Sequence, residues 1–297
     1  MANQRNIGIL LGIFCYVLWG GLVYYWHLLS NVNSIEVFSY RIVFTILSML
    51  LYFVITGKTH KLNTEIKSLV KNKKALSYAV VASLFLGVNW VVFIYAVTIN
   101  QATQASIAGY IMPLVSVFLA IFFLHERIDR FMVVSMLLAF IGVVVMISGS
   151  GSFPLLTIVM SVCFPIYSLL KKYYRLSSDV AMVFESMVLL PFILVFLLFF
   201  AKHGLFSYPP MTIFYLILSG PVTAIPLLLF AESIKRAPLS LIGFIQYLNP
   251  TISLAISVSL LGESLTKADA HSLIFICLSI IIFAIGQFLL FRKKQMT

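Results

Sequence analysis

Residues 75–124 contain no Asp, Glu, Lys or Arg, and neither do residues 131–170. A membrane-crossing helix needs ~20 mainly apolar residues to cover ~30 Å of hydrocarbon. Each tract is about twice that length, so each must fold back once. Charge-free tracts over 6–35, 42–57, 186–201, 203–231, 237–262 and 270–291 continue the pattern along the whole chain. With 62% apolar and 10% charged residues, the chain lacks the charge to clothe a soluble surface, which carries ~25% in ordinary domains. The alternating pattern of a lipid-facing barrel is absent, so helices are the spanning elements.

Turn residues and charge clusters divide the chain into ten expected spans. They lie near 6–29, 35–56, 76–98, 104–124, 130–149, 154–171, 179–201, 210–231, 239–261 and 270–291. The tightest expected turns are Asn100-Gln101-Ala102-Thr103 and Ser148-Gly149-Ser150-Gly151-Ser152. With the N-terminus placed inside, every Lys and Arg except Arg41, Lys202 and Lys267 falls on an inner segment. That is the distribution the positive-inside rule demands, and a wrong span count would scramble it. The expectation is an all-α integral membrane protein of ten transmembrane helices, multi-pass in the cell (plasma) membrane with both termini cytoplasmic. The net charge of +11 reads as topology beside an anionic membrane surface. The basic residues form no interleaved aromatic patch, so no nucleic-acid partner is expected. The first apolar stretch is too long for a cleavable signal peptide, and Arg5 is its only basic flank. In the one long inner segment, 57–75, Leu62, Ile66, Leu69 and Val70 follow helical spacing among lysines. Either an amphipathic helix on the inner leaflet or a solvated basic loop fits that pattern.

The chain repeats itself. Tyr110-Ile111-Met112-Pro113 is followed thirteen residues after its proline by Glu126, and Tyr247-Leu248-Asn249-Pro250 at the same interval by Glu263. Ser116 matches Ser253 and Leu124 matches Leu261, while upstream Ala96–Ala102 resembles Ala231–Ala237. The expected halves are 1–150 and 151–297, with five helices each. An odd number makes the second half enter the bilayer from the opposite side. Inverted repeats of this kind are the architecture of secondary transporters with a midplane site.

Several runs carry a family likeness: Leu18-Trp19-Gly20, Tyr40-Arg41, Gly87-Val88-Asn89-Trp90, the stretch from Gly109 to Val117, and Glu185 with Leu189-Leu190-Pro191. Gly220-Pro221-Val222-Thr223-Ala224-Ile225-Pro226-Leu227-Leu228-Leu229-Phe230, the most specific run, and Gln246-Tyr247 with Pro250 extend it over essentially the whole chain. In these the chain resembles the EamA-type drug/metabolite transporters, specifically the RarD group. The resemblance implies a ten-helix, two-repeat permease.

Pro113 and Pro250 fall near the middle of the fourth and ninth expected spans, where they free the carbonyls of Gly109 and Gln246. Gln246, Asn249, Ser253 and Ser257 share one helix face, and Gly109, Pro113 and Ser116 form a barer counterpart. These sites read as a polar cavity wall with the two prolines as gating kinks, or as polar glue between helices. Arg41 and Glu185 stand within spans, where a charge costs ~2–3 kcal/mol or more and a functional role is the default reading. Arg41 is a candidate to hold an anionic substrate group. Glu185 is a candidate carrier of a coupling proton, since an apolar setting favours the neutral carboxyl. The alternative for each is a helix-end position reaching the interface, or pairing with a neighbouring helix.

Asn89, Trp90, Tyr110, Thr223 and Tyr247 complete the candidate substrate-binding set with Arg41, Gln246 and Asn249. Tyr16, Trp19 and Tyr167 are further cavity-facing candidates, whereas Tyr24, Tyr25 and Trp26 fit an outer aromatic belt. Glu126 and Glu263 are expected at water, capping or pairing locally. Cys15, Cys163 and Cys277 have no disulfide or zinc spacing, and the histidines share no metal-ligand spacing, so no metal and no cofactor are expected. Walker, HExxH and GxSxG runs are absent, which argues against an ATP motor or a hydrolase. The expected partners are a small-molecule substrate and membrane lipid, with a homodimer allowed. Alternating-access transport is the first functional reading; a passive channel or lipid scramblase is the alternative.

Overall fold

A computed structural model describes residues 2–98, 102–150, 155–201, 203–260 and 267–295. Its elements are α1 (Ala2–His27), α2 (Ser34–Ile55), α3 (Thr59–Lys71), α4 (Lys73–Thr98), α5 (Ala102–Leu124) and α6 (Arg130–Ser150). They continue with α7 (Leu155–Leu170), α8 (Ser178–Phe199), a 3₁₀ turn (Leu205–Ser207), α9 (Pro210–Arg236), α10 (Leu239–Ile245), α11 (Leu248–Leu260) and α12 (Lys267–Gln295). No strand occurs among the described residues. Eight segments are long and apolar enough to cross a membrane, the α10–α11 stretch counting as one of them. Two further apolar helices, Ala108–Leu124 and Leu155–Leu170, are shorter. The protein is therefore an all-α membrane protein. Among the described residues, eight of its ten expected spans are long and apolar enough to cross a membrane.

Of the two readings open for 57–75 the structure has the helix, α3, over Thr59–Lys71, and one other local expectation changes. In α3, Leu69 is buried while Leu62 and Ile66 pack on the main core, and Val70 turns outward. The helix is clamped by Lys61 on Asp179 at 2.8 Å and by Glu65, which accepts the Ser177 amide at 2.7 Å. The ninth expected span is not one helix kinked at its middle. It breaks at Gln246-Tyr247, and Pro250 lies in the first turn of α11, where a missing N–H is tolerated. The Gln246 carbonyl is not left free, because it accepts the Asn249 amide at 3.1 Å. Pro113, in contrast, lies inside α5.

The helices pack across the midpoint of the chain. α1 lies against α9, α10 and α11, and α7 lies against α4 and α5. α2 packs on both α8 and α9, while α6 and α12 run together at the side of the bundle. Serines stitch that last pair: Ser272 donates to the Gly142 carbonyl at 2.8 Å and Ser279 to the Ser135 carbonyl at 2.7 Å. An aromatic cluster from α1, α7 and α9 fills the centre. There Trp19 meets Phe164 and Phe230 at 6.0 and 5.7 Å, and Tyr167 stacks on Phe230 at 6.2 Å. The outer surface exposes Phe14, Leu51, Phe122, Leu137, Phe192 and Ile274, an apolar coat suited to lipid rather than water.

Candidate functional site

The two repeated proline motifs meet. A Cβ on Gly109 would stand 3.6 Å from the Pro250 ring, and one on Gly243 of α10 would stand 3.0 Å from Ser116 and 3.4 Å from the Pro113 carbonyl. Across the junction the buried Gln246 amide nitrogen approaches the Met112 sulfur at 3.5 Å. Sulfur is a weak acceptor, so this contact leaves most of the amide's donor capacity unused. Ser253 donates to the Asn249 side-chain oxygen at 3.4 Å and to the Gly20 carbonyl at 3.3 Å, tying α11 to α1. Tyr110 and Tyr247 are both buried in the main core. The hydroxyls of Tyr247 and Thr223 are buried with no hydrogen-bond partner among the described residues. Orphaned buried hydroxyls are rare in native proteins and call for an explanation.

Arg41 and Trp90 are brought together as well. The guanidinium carbon lies 4.5 Å from the Trp90 ring centre, 5.1 Å from Phe38 and 5.5 Å from Trp26. Trp26 thus belongs to a cation box rather than acting only as a belt residue. Asn89 turns elsewhere: it donates to the Met160 carbonyl of α7 at 2.9 Å and is buried. Among the described residues, no hydrogen bond or ring contact joins the Arg41 box to Gln246, Tyr247 or Asn249. Glu263, the loop residues around Asn100 and Gly151, and the Ser257 side chain lie outside the described residues.

Glu185 sits in a buried polar cluster. Its carboxylate pairs with Lys171 and accepts from the Tyr167 hydroxyl at 2.9 Å and the Tyr174 hydroxyl at 2.7 Å. Lys171 also donates to the Tyr167 oxygen at 3.0 Å. The two charged side chains are only 3% and 5% exposed. Burial, reinforced by the Glu185 carboxylate, holds the Tyr174 phenol well above its ordinary value, which keeps it a donor. Sequence reasoning counted Lys171 among the topology-setting cations and gave Tyr174 no role. The available signal was the four-residue spacing from Tyr167 to Lys171, which puts both on one helix face.

Glu126 is not simply hydrated. It accepts the amides of Leu239 and Ser240 at 2.8 and 2.9 Å and the Ser240 hydroxyl at 2.7 Å, capping α10. Lys172 approaches it at 3.5 Å, its ammonium pulled below the usual value by burial against the opposing pull of Glu126. Replacing Glu126 by alanine removes both acceptors and is expected to cost about 1–2 kcal/mol in unfolding experiments, as loss of a side-chain helix cap does. Glu126→Gln, which keeps a carbonyl, should lose less. Equal stability of Glu126→Ala and wild type would dismiss the cap.

The EamA-like transporter family matches the chain twice, over residues 6–148 and 152–285. The uncharacterized transporter YojE of Bacillus subtilis (strain 168) is 33% identical, covering 96% of this chain and 95% of its own. Protein RarD of Escherichia coli (strain K12) is 30% identical over 99% of both chains. A crystal structure only 17% identical shares the fold, with a TM-score of 0.74 over 95% of this chain and 97% of its own. Apolar helices, packed halves and near-full-length relatives agree: the chain belongs to the EamA-like transporter family, as a multi-pass RarD-like permease of the drug/metabolite transporter kind.

Proposed function

We propose that the protein is a secondary transporter of a small organic metabolite or drug, not an enzyme, working by alternating access in the plasma membrane with both termini cytoplasmic. Ten helices in two inverted five-helix halves, 1–150 and 151–297, form the machine. One observation carries this reading. α1, the first helix of one half, packs on the third and fourth spans of the other half (α9, and α10 with α11). α7, the first helix of the second half, packs on α4 and α5, the third and fourth spans of the first. Such reciprocal packing is what an inverted repeat predicts, and rocking one half against the other then exposes a site at their junction to either side.

The substrate site comprises Arg41, Asn89, Trp90, Tyr110, Thr223, Gln246, Tyr247 and Asn249, with Pro113 and Pro250 as the hinges that let α5 and α11 reorient. The orphan hydroxyls of Thr223 and Tyr247 support this, since a polar ligand gives them partners. Glu185 carries the coupling proton, and its protonation would release Lys171. Proteoliposome counterflow over a metabolite and drug panel, at two pH values, tests both claims. Saturable uptake accelerated by substrate on the far side is expected. Flux linear in concentration, with no such acceleration, would mean a passive channel or scramblase. For the proton, Glu185→Gln should keep counterflow and lose its pH dependence; an unchanged pH profile removes Glu185 from coupling.

A further inference from the structure

Among the described residues, Arg41 is a cation without an anion. Its Nε is buried with no hydrogen-bond partner among the described residues, and neither terminal nitrogen has one. Glu36, the acidic residue nearest in sequence, is engaged by the Tyr208 hydroxyl. The ion pairs formed by other carboxylates go to Lys61, Lys171, Lys172, Lys235 and Arg236. Three aromatic rings supply what attraction the guanidinium receives, at about 0.5–2 kcal/mol each. Rings engage the face of a guanidinium and leave its fork of N–H donors, the part that matches a carboxylate two bonds at a time, unused. The residue as a whole keeps intermediate exposure.

Charge number narrows the partner. Between residues 6 and 57 Arg41 is the only Lys or Arg, and residues 75–124 of α4 and α5 add none. One positive charge in an apolar setting neutralises one negative charge; a dianion would leave a charge uncompensated there at a cost of ~2–3 kcal/mol or more. The walls around it, Trp26, Phe38 and Trp90, are apolar. We infer that the ligand is an organic monocarboxylate with an apolar body, its carboxylate held by the fork of Arg41. The inference rests on the permease reading for what happens next, but the binding step can be tested alone.

The chain has three tryptophans, and two of them, Trp26 and Trp90, line the box, so intrinsic fluorescence reports on it directly. The full-length protein in detergent is titrated with benzoate, phenylacetate and hexanoate beside their neutral amides, following fluorescence and melting temperature. At least one acid should shift both saturably, with its amide tenfold weaker or worse. Arg41→Gln should weaken that acid at least tenfold and abolish its advantage over its amide, and Arg41→Lys should fall between. If Arg41→Gln does not fold, the acid-to-amide contrast in wild type decides. Equal binding of acids and amides, or no binding of any of the three acids, overturns the inference. Counterflow of neutral compounds with no carboxylate effect overturns it too, while leaving the permease intact. Carboxylate binding lost in Arg41→Gln, without carrier-type flux of any compound, upholds the site and removes the permease.

Discussion

Lys171→Met should destabilise the folded protein by about 3–5 kcal/mol, the cost of stripping one partner from a buried ion pair. The reason lies in what remains. Glu185 would be left without its cation in a pocket where both partners are almost fully enclosed, with only the Tyr167 and Tyr174 hydroxyls beside it. Glu185→Gln should cost less, because the amide oxygen still accepts from one of the two tyrosines and Lys171 retains the Tyr167 oxygen. The double variant Lys171→Met/Glu185→Gln should recover most of the Lys171→Met loss, since no unpaired charge is left. A leucine at 185 would not serve, as it would orphan two buried hydroxyls at about 1–3 kcal/mol each. Unfolding of all three variants in one detergent gives the comparison. If Lys171→Met melts with wild type, the buried pair does not hold the fold together.

The positions of the helices were legible because lipid imposes a simple rule: long charge-free tracts must be helical, and lysines and arginines mark their ends. The same rule hid Lys171. The positive-inside pattern already accounts for a cation after the sixth span, so only the four-residue spacing from Tyr167 separated Lys171, buried on Glu185, from Lys172, turned to Glu126 and the Ala237 carbonyl. Pro113 and Pro250 were legible as a related pair, but not in their unequal roles. α5 continues through its proline, while α11 begins at one, because the chain breaks at Gln246-Tyr247. That difference is set by packing against Gly243 and Met112, contacts from more than a hundred residues away. Glu126 as the cap of α10 is a tertiary fact of the same kind. Arg41 was legible as an oddity from its lone charge. Its three-ring box needed the fold, since Trp26 and Trp90 come from different helices.

Gly220→Ala should cost about 3 kcal/mol, at the upper end for overpacking a close contact. A Cβ there would come within 2.8 Å of the Thr45 amide nitrogen and closer still to the carbonyl carbon and oxygen of Phe44. These are backbone atoms of α2, which cannot swing aside as a side chain can. α2 and α9 would have to separate, stretching the Thr45 hydroxyl bond to the Gly220 carbonyl beyond its 3.3 Å. The separation would also loosen the cluster of Leu29, Val32, Tyr40 and Leu216 beside it. Gly21→Ala is the control: nothing lies within 4 Å of a Cβ at that helical position, so the change should gain up to about 1 kcal/mol from helix propensity. Melting temperatures moving in opposite directions for the two variants support the close approach; a Gly220→Ala protein as stable as wild type removes it. The contact also gives a physical reason for the Gly220–Phe230 run on which the family likeness rests most. Gly220 lets α9 lie backbone to backbone on α2, and one turn further along α9 Thr223 carries one of the orphan hydroxyls of the proposed site. Widening this seam should therefore weaken substrate affinity as well as stability, because the same helix brings both residues into place.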